Sequence, residues 1–314
     1  WGRLDLGAHV THVRAATDNY VADNLRQSRP ALFAAYRHTA AAGRLEGSLS
    51  LRQEWIATSD QTTRSVPLMP SAGVTYAPAE GWRLRGHAAR SFRVPTFNDL
   101  YWQPGGNPAL RPERGWSAEL GAERAATHGA WAYEGRATLF SHWLRDRLVW
   151  RPETFYWSPV NVAAVWNRGA ELAGCLGRRV GEVEVSVGGQ YQYVRAEPKG
   201  ATDAAERGGQ LFYVPLHQGH GSLTLAYRRW NLRYRHVVVG YRYTTTDNTD
   251  FLPTHDLGQW IVSRGWSAAT WGGSAFLQVD NLWNRAYQVM PGRPMPGHAL
   301  RFGFVLHLHQ KATS

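Results

Sequence analysis

The stretch EVEVSVGGQYQYV, residues 182–194, alternates between polar and apolar side chains. Its first three valines and both tyrosines fall on one side of an extended chain, and its glutamates, serine and glutamines fall on the other. Successive side chains of a β-strand point to opposite faces, so a period of two residues predicts a strand with one apolar and one polar face. The same alternation returns in ATWGGSAFLQVD at 269–280 and in ALRFGFVLHL at 299–308. This alternation predicts an all-β fold.

Two kinds of connection separate the alternating segments. Short turn signals occur around residues 40–44, 77–81, 126–130, 178–182, 228–231 and 264–268. Longer connections, rich in Pro, Asn, Asp and Gly, lie at 17–28, 58–67, 93–114, 151–162, 196–214, 244–254 and 284–297. Together they delimit fourteen predicted strands, at 2–16, 29–39, 44–57, 67–77, 81–92, 115–125, 130–150, 163–178, 182–195, 215–228, 230–243, 255–264, 268–282 and 298–308.

The alternation of short turns with long loops predicts an antiparallel transmembrane β-barrel. Outer-membrane barrels have short periplasmic turns and longer extracellular loops, and their strands alternate between a lipid-facing and a lumen-facing side chain. Strands of about ten residues suit a tilted bilayer crossing, whereas soluble sandwiches more often use strands of about five or six. The chain has 15 Trp and 14 Tyr, many of them near predicted strand ends, as in interfacial girdles. A soluble β-sandwich with an aromatic core is the alternative.

Composition argues against several other classes of protein. No apolar run reaches the roughly 18 residues of a transmembrane helix. The net charge of +11 would suit nucleic acid, but the arginines are scattered rather than clustered in a recognisable module, so we expect no nucleic-acid partner. The single cysteine, Cys175, cannot form an intrachain disulfide or a Cys-based metal site, and its phase with Glu171 predicts a lumen-facing side chain.

Catalytic and metal-binding patterns are weak. GHGSL at 219–223 lacks the serine position and the strand–turn–helix context of a nucleophile elbow. His217 and His220 have a spacing that places them on opposite faces of a strand, which does not favour a shared metal. We therefore predict no catalytic residues, no metal site, no cofactor and no enzymatic activity.

The predicted loop after the strand at 81–92 contains SFRVPTFNDLYW, residues 91–102, followed by QPGGNPALRPERGWS. It is too aromatic for an idle linker, and its Pro, Asn, Asp and Gly predict neither a strand nor a helix. It resembles the signature of TonB-dependent outer-membrane receptors, F-R-x-P-T-x-x-(D/E)-L-Y followed by G-N-P-x-L-x-P-E. The matching residues are Phe92, Arg93, Pro95, Thr96, Phe97, Asp99, Leu100, Tyr101, Gly106, Asn107, Pro108, Leu110, Pro112 and Glu113.

Further segments resemble the same family. Asn167, Gly169 and Glu171 are similar to its N-x-G-x-E strand entry, and QVDNLWNRAYQVMPGRPMPG at 278–297 is similar to its C-terminal hairpin. VVVGYRYTTTDNTDFLPTHDL at 237–257 is similar to cobalamin-receptor-like members, especially those of the Bacteroidetes. The last strand has the polar-x-Gly-x-x-apolar-x-apolar pattern of an assembly signal. The residues that form this pattern are Arg301, Gly303, Leu306 and Leu308.

The resemblance implies a fold and a function. Members of the family form 22-stranded barrels plugged by an N-terminal domain. We therefore expect residues 1–314 to be the C-terminal part of such a barrel, in the cell outer membrane, with the plug absent. The chain starts at WGRL without Met or a signal region, which indicates a mature chain, a fragment or a gene that lacks its 5′ part.

The implied function is energy-coupled uptake of a scarce small molecule, a corrinoid such as cobalamin or an iron chelate such as a ferric siderophore. The implied partners are a TonB-type energy transducer, which would act through the missing plug, the barrel-assembly machinery, and outer-membrane lipid and lipopolysaccharide. A passive fourteen-stranded pore or structural barrel is the alternative. The residues of the motif loop either face a ligand or only pack on the barrel rim, and we favour packing.

Overall fold

The computed structural model describes residues 2–21, 24–59, 63–199, 208–268 and 270–308. Its main element is an antiparallel sheet in which strands adjacent in sequence are neighbours, apart from short inserted strands. Fourteen strands form the continuous order, and β4, which pairs with β3, is the fifteenth member.

The fourteen strands of the order are β1 Gly2–Ala15, β2 Leu25–Ala40, β3 Leu45–Thr58, β5 Met69–Tyr76, β6 Trp82–Arg93, β7 Glu113–His128, β8 Trp131–Pro152, β9 Trp157–Val180, β10 Val183–Lys199, β11 His217–Tyr227, β12 Trp230–Val239, β15 His255–Ser267, β16 Trp271–Asp280 and β19 Ala299–Leu308. The short elements are β4 Thr63–Ser65, β13 Arg242–Tyr243, β14 Phe251–Leu252, β17 Gln288–Met290 and β18 Arg293–Pro294, the helix α1 Phe97–Tyr101 and a 3-10 turn at Ala41–Gly43. No helix in the described part of the chain has the length and apolar character needed to cross a membrane.

All fourteen predicted strands are confirmed, with shifts at their ends. The predicted long connection at 151–162 is wrong, because β8 extends to Pro152 and β9 already begins at Trp157. The Glu153 amide donates to the Tyr156 carbonyl at 2.7 Å and closes a tight turn between them. Prolines mark this stretch as a loop in the sequence, but a proline keeps its carbonyl, and that of Pro159 accepts a hydrogen bond from Asn107 at 3.2 Å. The strand therefore continues through Pro159, beyond the segment that the alternating pattern predicted.

Several of the short turns depend on glycine. Gly81, Gly129 and Gly181 have φ values of 71°, 59° and 61°, in the left-handed region. A residue with a Cβ is disfavoured there, whereas glycine adopts it freely. These turns join β5 to β6, β7 to β8 and β9 to β10, so the positions of glycine explain why these three predicted turns were correct.

The sheet has one apolar and one polar face. Leu6 lies opposite Ala34 on the neighbouring strand, and Leu277 lies opposite Phe302. Although apolar, Leu6 is 73% exposed and Phe302 is 81% exposed. Exposure of large side chains in repeated rows is unfavourable in water, so these rows indicate a face that contacts hydrocarbon. The predicted alternation is therefore confirmed, and the apolar row is the lipid-facing one.

The opposite face carries paired polar groups. The hydroxyls of Ser50 and Ser71 are 2.7 Å apart across β3 and β5. Near the C-terminus, Asp280 accepts hydrogen bonds from Gln278 at 2.8 Å and from Arg301 at 2.5 Å. A polar side chain on this face finds its partner on a neighbouring strand or two residues away on its own strand.

The chain divides into two compact units. The first comprises Trp1–Ala122, Thr138–Gly169 and Arg195–Gly209, and the second comprises Glu123–Ala137, Ala170–Val194 and Gln210–Ser314. The buried apolar side chains of the first unit include Leu25, Ala31, Ile56, Val66, Leu110, Leu148 and Val165. The motif loop, defined here as residues 93–113, belongs entirely to this unit.

Candidate functional site

The motif loop contains a capped helical turn. The sequence predicted no helix here, and that prediction is wrong, because α1 spans Phe97–Tyr101. The Thr96 hydroxyl accepts a hydrogen bond from the Asp99 amide at 3.2 Å, and the Asp99 carboxylate accepts one from the Thr96 amide at 2.8 Å. This reciprocal capping box satisfies donors at the helix N-terminus, so that a single turn can form between prolines. The T-x-x-D spacing was visible in the sequence.

Asp99 connects α1 to the sheet. Its side chain is buried, and its carboxylate oxygen Oδ1 accepts a hydrogen bond from the indole Nε1 of Trp150 on β8 at 3.0 Å. Asp99 Oδ2, the oxygen that accepts from the Thr96 amide, also accepts a hydrogen bond from the Thr96 hydroxyl at 2.8 Å and lies 3.7 Å from a guanidinium nitrogen of Arg93. A buried carboxylate is tolerated only when donors surround it, and four groups do so here.

Arg93 and Glu113 join the two ends of the motif loop. Arg93 is the last residue of β6 and Glu113 is the first of β7. The Arg93 guanidinium donates to Glu113 Oε1 at 3.2 Å, and the same oxygen accepts from the Leu148 amide on β8 at 2.6 Å. The Glu113 carboxylate therefore holds the two ends of the motif loop together and attaches them to β8.

At the G-N-P part of the motif, the backbone of the loop packs closely against neighbouring backbone. The Asn107 amide donates to the Asp99 carbonyl at 2.8 Å, and the Asn107 side chain donates to the Pro159 carbonyl and accepts from the Ala109 amide. A Cβ on Gly106 would lie 2.5 Å from the Trp102 amide nitrogen, and one on buried Gly105 would collide with the Trp157 carbonyl oxygen. Only glycine allows the backbone to approach this closely.

Asn161 and Asp146 complete the framework, and the sequence reasoning missed both. Asn161 accepts from the Arg111 amide at 2.8 Å and donates to the carbonyls of Arg111 at 2.9 Å and Asp146 at 2.7 Å. The Asp146 carboxylate is buried and lies 2.8 Å from Arg111 and 3.4 Å from Arg114. These partners are distant in sequence, and no local pattern marks them.

A cavity of about 320 Å³ lies beside the motif loop within the first unit. Its volume is at the lower end of the usual range for small-molecule sites. The lining is largely apolar, with charge supplied by Arg111, Arg114 and Asp146. The predicted residues that line it are Phe92, Pro95, Leu100, Tyr101, Pro108, Leu110 and Pro112.

Apart from Gly106, whose backbone packs closely against that of Trp102, the predicted site residues form two groups. Arg93, Thr96, Asp99, Asn107 and Glu113 form the polar framework described above. The apolar residues and prolines line the cavity, apart from Phe97, whose ring centroid lies 6.3 Å from that of Tyr101. The participation of these residues in ligand binding stays a prediction.

The residues of the predicted assembly signal lie on β19. Arg301 pairs with Asp280 on the polar face, and Gly303 leaves space for the ring of Phe276, since a Cβ there would be 2.6 Å from a ring carbon. Leu306 is 59% exposed on the apolar face, and Leu308 has the same strand phase, opposite Trp271. The geometry matches the alternation on which the prediction rests, and recognition by the assembly machinery stays a prediction.

Cys175 and His217, also named from the sequence, have structural partners. The Cys175 sulfur is 3.2 Å from the Ser186 hydroxyl, and His217 Nδ1 is 2.7 Å from the Tyr191 hydroxyl. Within residues 2–21, 24–59, 63–199, 208–268 and 270–308, no group of three or more His, Cys, Asp and Glu side chains could hold a metal ion.

Comparison with known proteins gives one family. Residues 3–282 match the sequence model of the family described as "TonB dependent receptor-like, beta-barrel". The vitamin B12 transporter BtuB of Photobacterium profundum is 25% identical over 180 residues, which are 56% of this chain and 27% of that protein.

Two solved structures are similar to most of the chain. The copper transporter OprC gives a TM-score of 0.71 at 15% identity and covers 98% of this chain and 54% of its own. The FrpB iron transporter from Neisseria meningitidis (F3-3 variant) gives 0.68 at 18% identity, over 98% of this chain and 52% of its own. The chain thus spans about a quarter of the sequence relative and about half of these structures.

Proposed function

Because the chain belongs to the TonB-dependent receptor-like β-barrel family, we propose that it is the barrel part of a receptor for energy-coupled uptake of a scarce ligand. The observation that carries this proposal is the family match over residues 3–282. Proteins of this family lie in the outer membrane, in agreement with the exposed apolar rows of the sheet. They are receptors and transporters, and transport of this kind needs no catalytic residue.

We propose cobalamin or a related corrinoid as the ligand. The BtuB relative is described as a vitamin B12 transporter, and residues 237–257 resemble cobalamin-receptor-like members. A ferric siderophore is the second candidate ligand. The similar copper and iron transporters support the fold and not the ligand, since they are only 15% and 18% identical to this chain.

Within this function, we assign the motif loop a supporting role. Its polar framework fixes the loop to β7, β8 and β9, so that the loop holds one shape at the barrel rim. The half-buried Phe92, Leu100 and Tyr101 pack around the cavity, which is at the small end of the range for ligand sites. Residues 1–314 would act together with an N-terminal plug that contacts the energy transducer, and β19 would present the signal for barrel assembly.

Growth rescue tests the proposed ligand. The full-length gene is expressed in a strain that lacks its cobalamin receptor and, separately, in a strain that lacks its siderophore receptor. We expect rescue of cobalamin-dependent growth at limiting cobalamin and no rescue of growth at limiting iron. Failure on cobalamin together with success on iron would replace the corrinoid by an iron chelate and leave the receptor function intact.

A further inference from the structure

Three cations surround one carboxylate where the middle of β9 adjoins the loop-side end of β10, within the first unit. Arg168, Arg195 and Lys199 contact Glu197 at 3.1, 2.9 and 2.8 Å. We call these four residues the outward cationic cluster. Three positive charges and one negative charge leave a net charge of +2. The side chains of the three cations are about one-third exposed, at 35, 32 and 36%, whereas Glu197 is 9% exposed.

The cluster lies on the lipid-facing side of the sheet. The Arg168 guanidinium is 3.9 Å from the ring centroid of Trp166, whose Nε1 donates to the Ser141 hydroxyl at 2.9 Å. On β8, Ser141 has the same strand phase as Trp143 and as Leu139, which is 61% exposed on the apolar face. The ring centroids of Trp143 and Trp166 are 6.2 Å apart. The cluster therefore shares a face with exposed apolar side chains and with two neighbouring tryptophans.

Strand length places the cluster at the edge of the hydrocarbon layer. β10 begins at Val183, and twelve residues, 183–194, precede Arg195. A tilted strand crosses the apolar core with about 9–11 residues, so Arg195, Glu197 and Lys199 lie beyond it on the side of the long loops. Long loops are extracellular in this class of barrel, and tryptophans concentrate at the interface. The cluster consequently faces the headgroup region of the outer leaflet.

Phosphate is the anion that this position and this donor set fit best. Guanidinium groups bind phosphate oxygens through two parallel hydrogen bonds, and an ammonium group adds a compact charge. One carboxylate cannot occupy all the donors of three cations. We propose that the outward cationic cluster binds the phosphate groups of a phosphorylated glycolipid of the outer leaflet, of the lipopolysaccharide type. Trp166 and Trp143 lie beside the cluster on the same face of the sheet, at the depth where tryptophans meet lipid headgroups.

The test measures binding of bisphosphorylated lipid A to the full-length receptor in detergent by native mass spectrometry. The main variant, R168Q/R195Q/E197Q/K199Q, removes the net charge without leaving the Glu197 carboxylate unpaired. We expect its affinity for lipid A to fall about tenfold or more, since several charge-assisted hydrogen bonds are removed. Dephosphorylated lipid A should bind the unchanged receptor as weakly as lipid A binds this variant.

The chain offers a matched control for this experiment. Arg178 lies at the turn-side end of β9, with its guanidinium 4.8 Å from the ring centroid of Trp131, and has the same strand phase as Arg168. R178Q should leave lipid A binding unchanged. Heat-modifiable gel mobility reports folding. If the fourfold variant does not fold, K199Q replaces it, since both arginines still pair with Glu197 in this variant. K199Q alone should weaken lipid A binding several-fold, because it removes one of the three cations.

Three results would overturn the proposal. One is unchanged affinity in a folded variant, and another is an equal loss of binding in R178Q. The third is competition by inorganic phosphate as effective as that by lipid A, which would indicate a site for free anions rather than for a lipid headgroup.

Discussion

Replacing Asp99 with alanine is expected to destabilise the motif loop by about 3 kcal/mol, as for loss of hydrogen bonds to a buried charged group. The carboxylate accepts hydrogen bonds from Trp150, from the Thr96 amide and from the Thr96 hydroxyl. D99A leaves the half-buried indole donor of Trp150 without this partner and removes half of the capping box of α1. Limited proteolysis of the full-length receptor should show faster cleavage within 93–113, and its thermal unfolding temperature should fall.

The control for this prediction is an exposed aspartate. Asp18 lies in the connection between β1 and β2, and D18A should change neither proteolysis nor the unfolding temperature. D99N keeps one carbonyl acceptor and should be intermediate between D99A and the unchanged protein. If D99A is cleaved no faster than D18A, Asp99 does not hold α1 to the sheet.

Replacing Gly105 with alanine is expected to cost about 2–3 kcal/mol, the upper part of the range for overpacking at a buried site. The added Cβ would collide with the Trp157 carbonyl oxygen at the first residue of β9, and backbone cannot move aside as a flexible side chain can. The loop would have to move away from β9, which would also lengthen the hydrogen bond from Asn107 to the Pro159 carbonyl. The thermal unfolding temperature and the proteolysis of residues 93–113 measure this effect.

Gly135 on β8 provides the matched control. A Cβ there would meet nothing within 4 Å, and its backbone is not in the left-handed region. G135A should therefore be close to neutral or slightly stabilising, since alanine restricts the unfolded chain. Equal stability of G105A and G135A would mean that the close approach of the motif loop to β9 is not required.

The strands could be predicted because a membrane barrel imposes its pattern on each strand separately. Residues 182–194 alternate because one face meets lipid and the other meets polar side chains, and Gly81, Gly129 and Gly181 mark turns that need positive φ. Strand ends were less predictable. β9 begins at Trp157 although Pro159 follows, and the carbonyl of this proline accepts a hydrogen bond from the side chain of Asn107 in the distant motif loop.

The candidate site was predicted in part, through its resemblance to a family. The motif identified Asp99 and Glu113 but not their partners, Trp150 and the Leu148 amide, which come from a strand more than thirty residues farther along the chain. Asn161 and Asp146 have no local signature, since their hydrogen bonds exist only after β8 and β9 pair with the loop in place. The capping box of α1 was local and could have been recognised from Thr96 and Asp99.

Uptake of labelled cobalamin by cells that express the full-length protein tests the central claim most directly. The measurement is made in a strain without its own cobalamin receptor, with and without a functional TonB-type energy transducer. We predict accumulation of cobalamin inside the cells that requires the transducer and stops in its absence. Accumulation at the same rate without the transducer would contradict energy-coupled transport and indicate a passive pore instead.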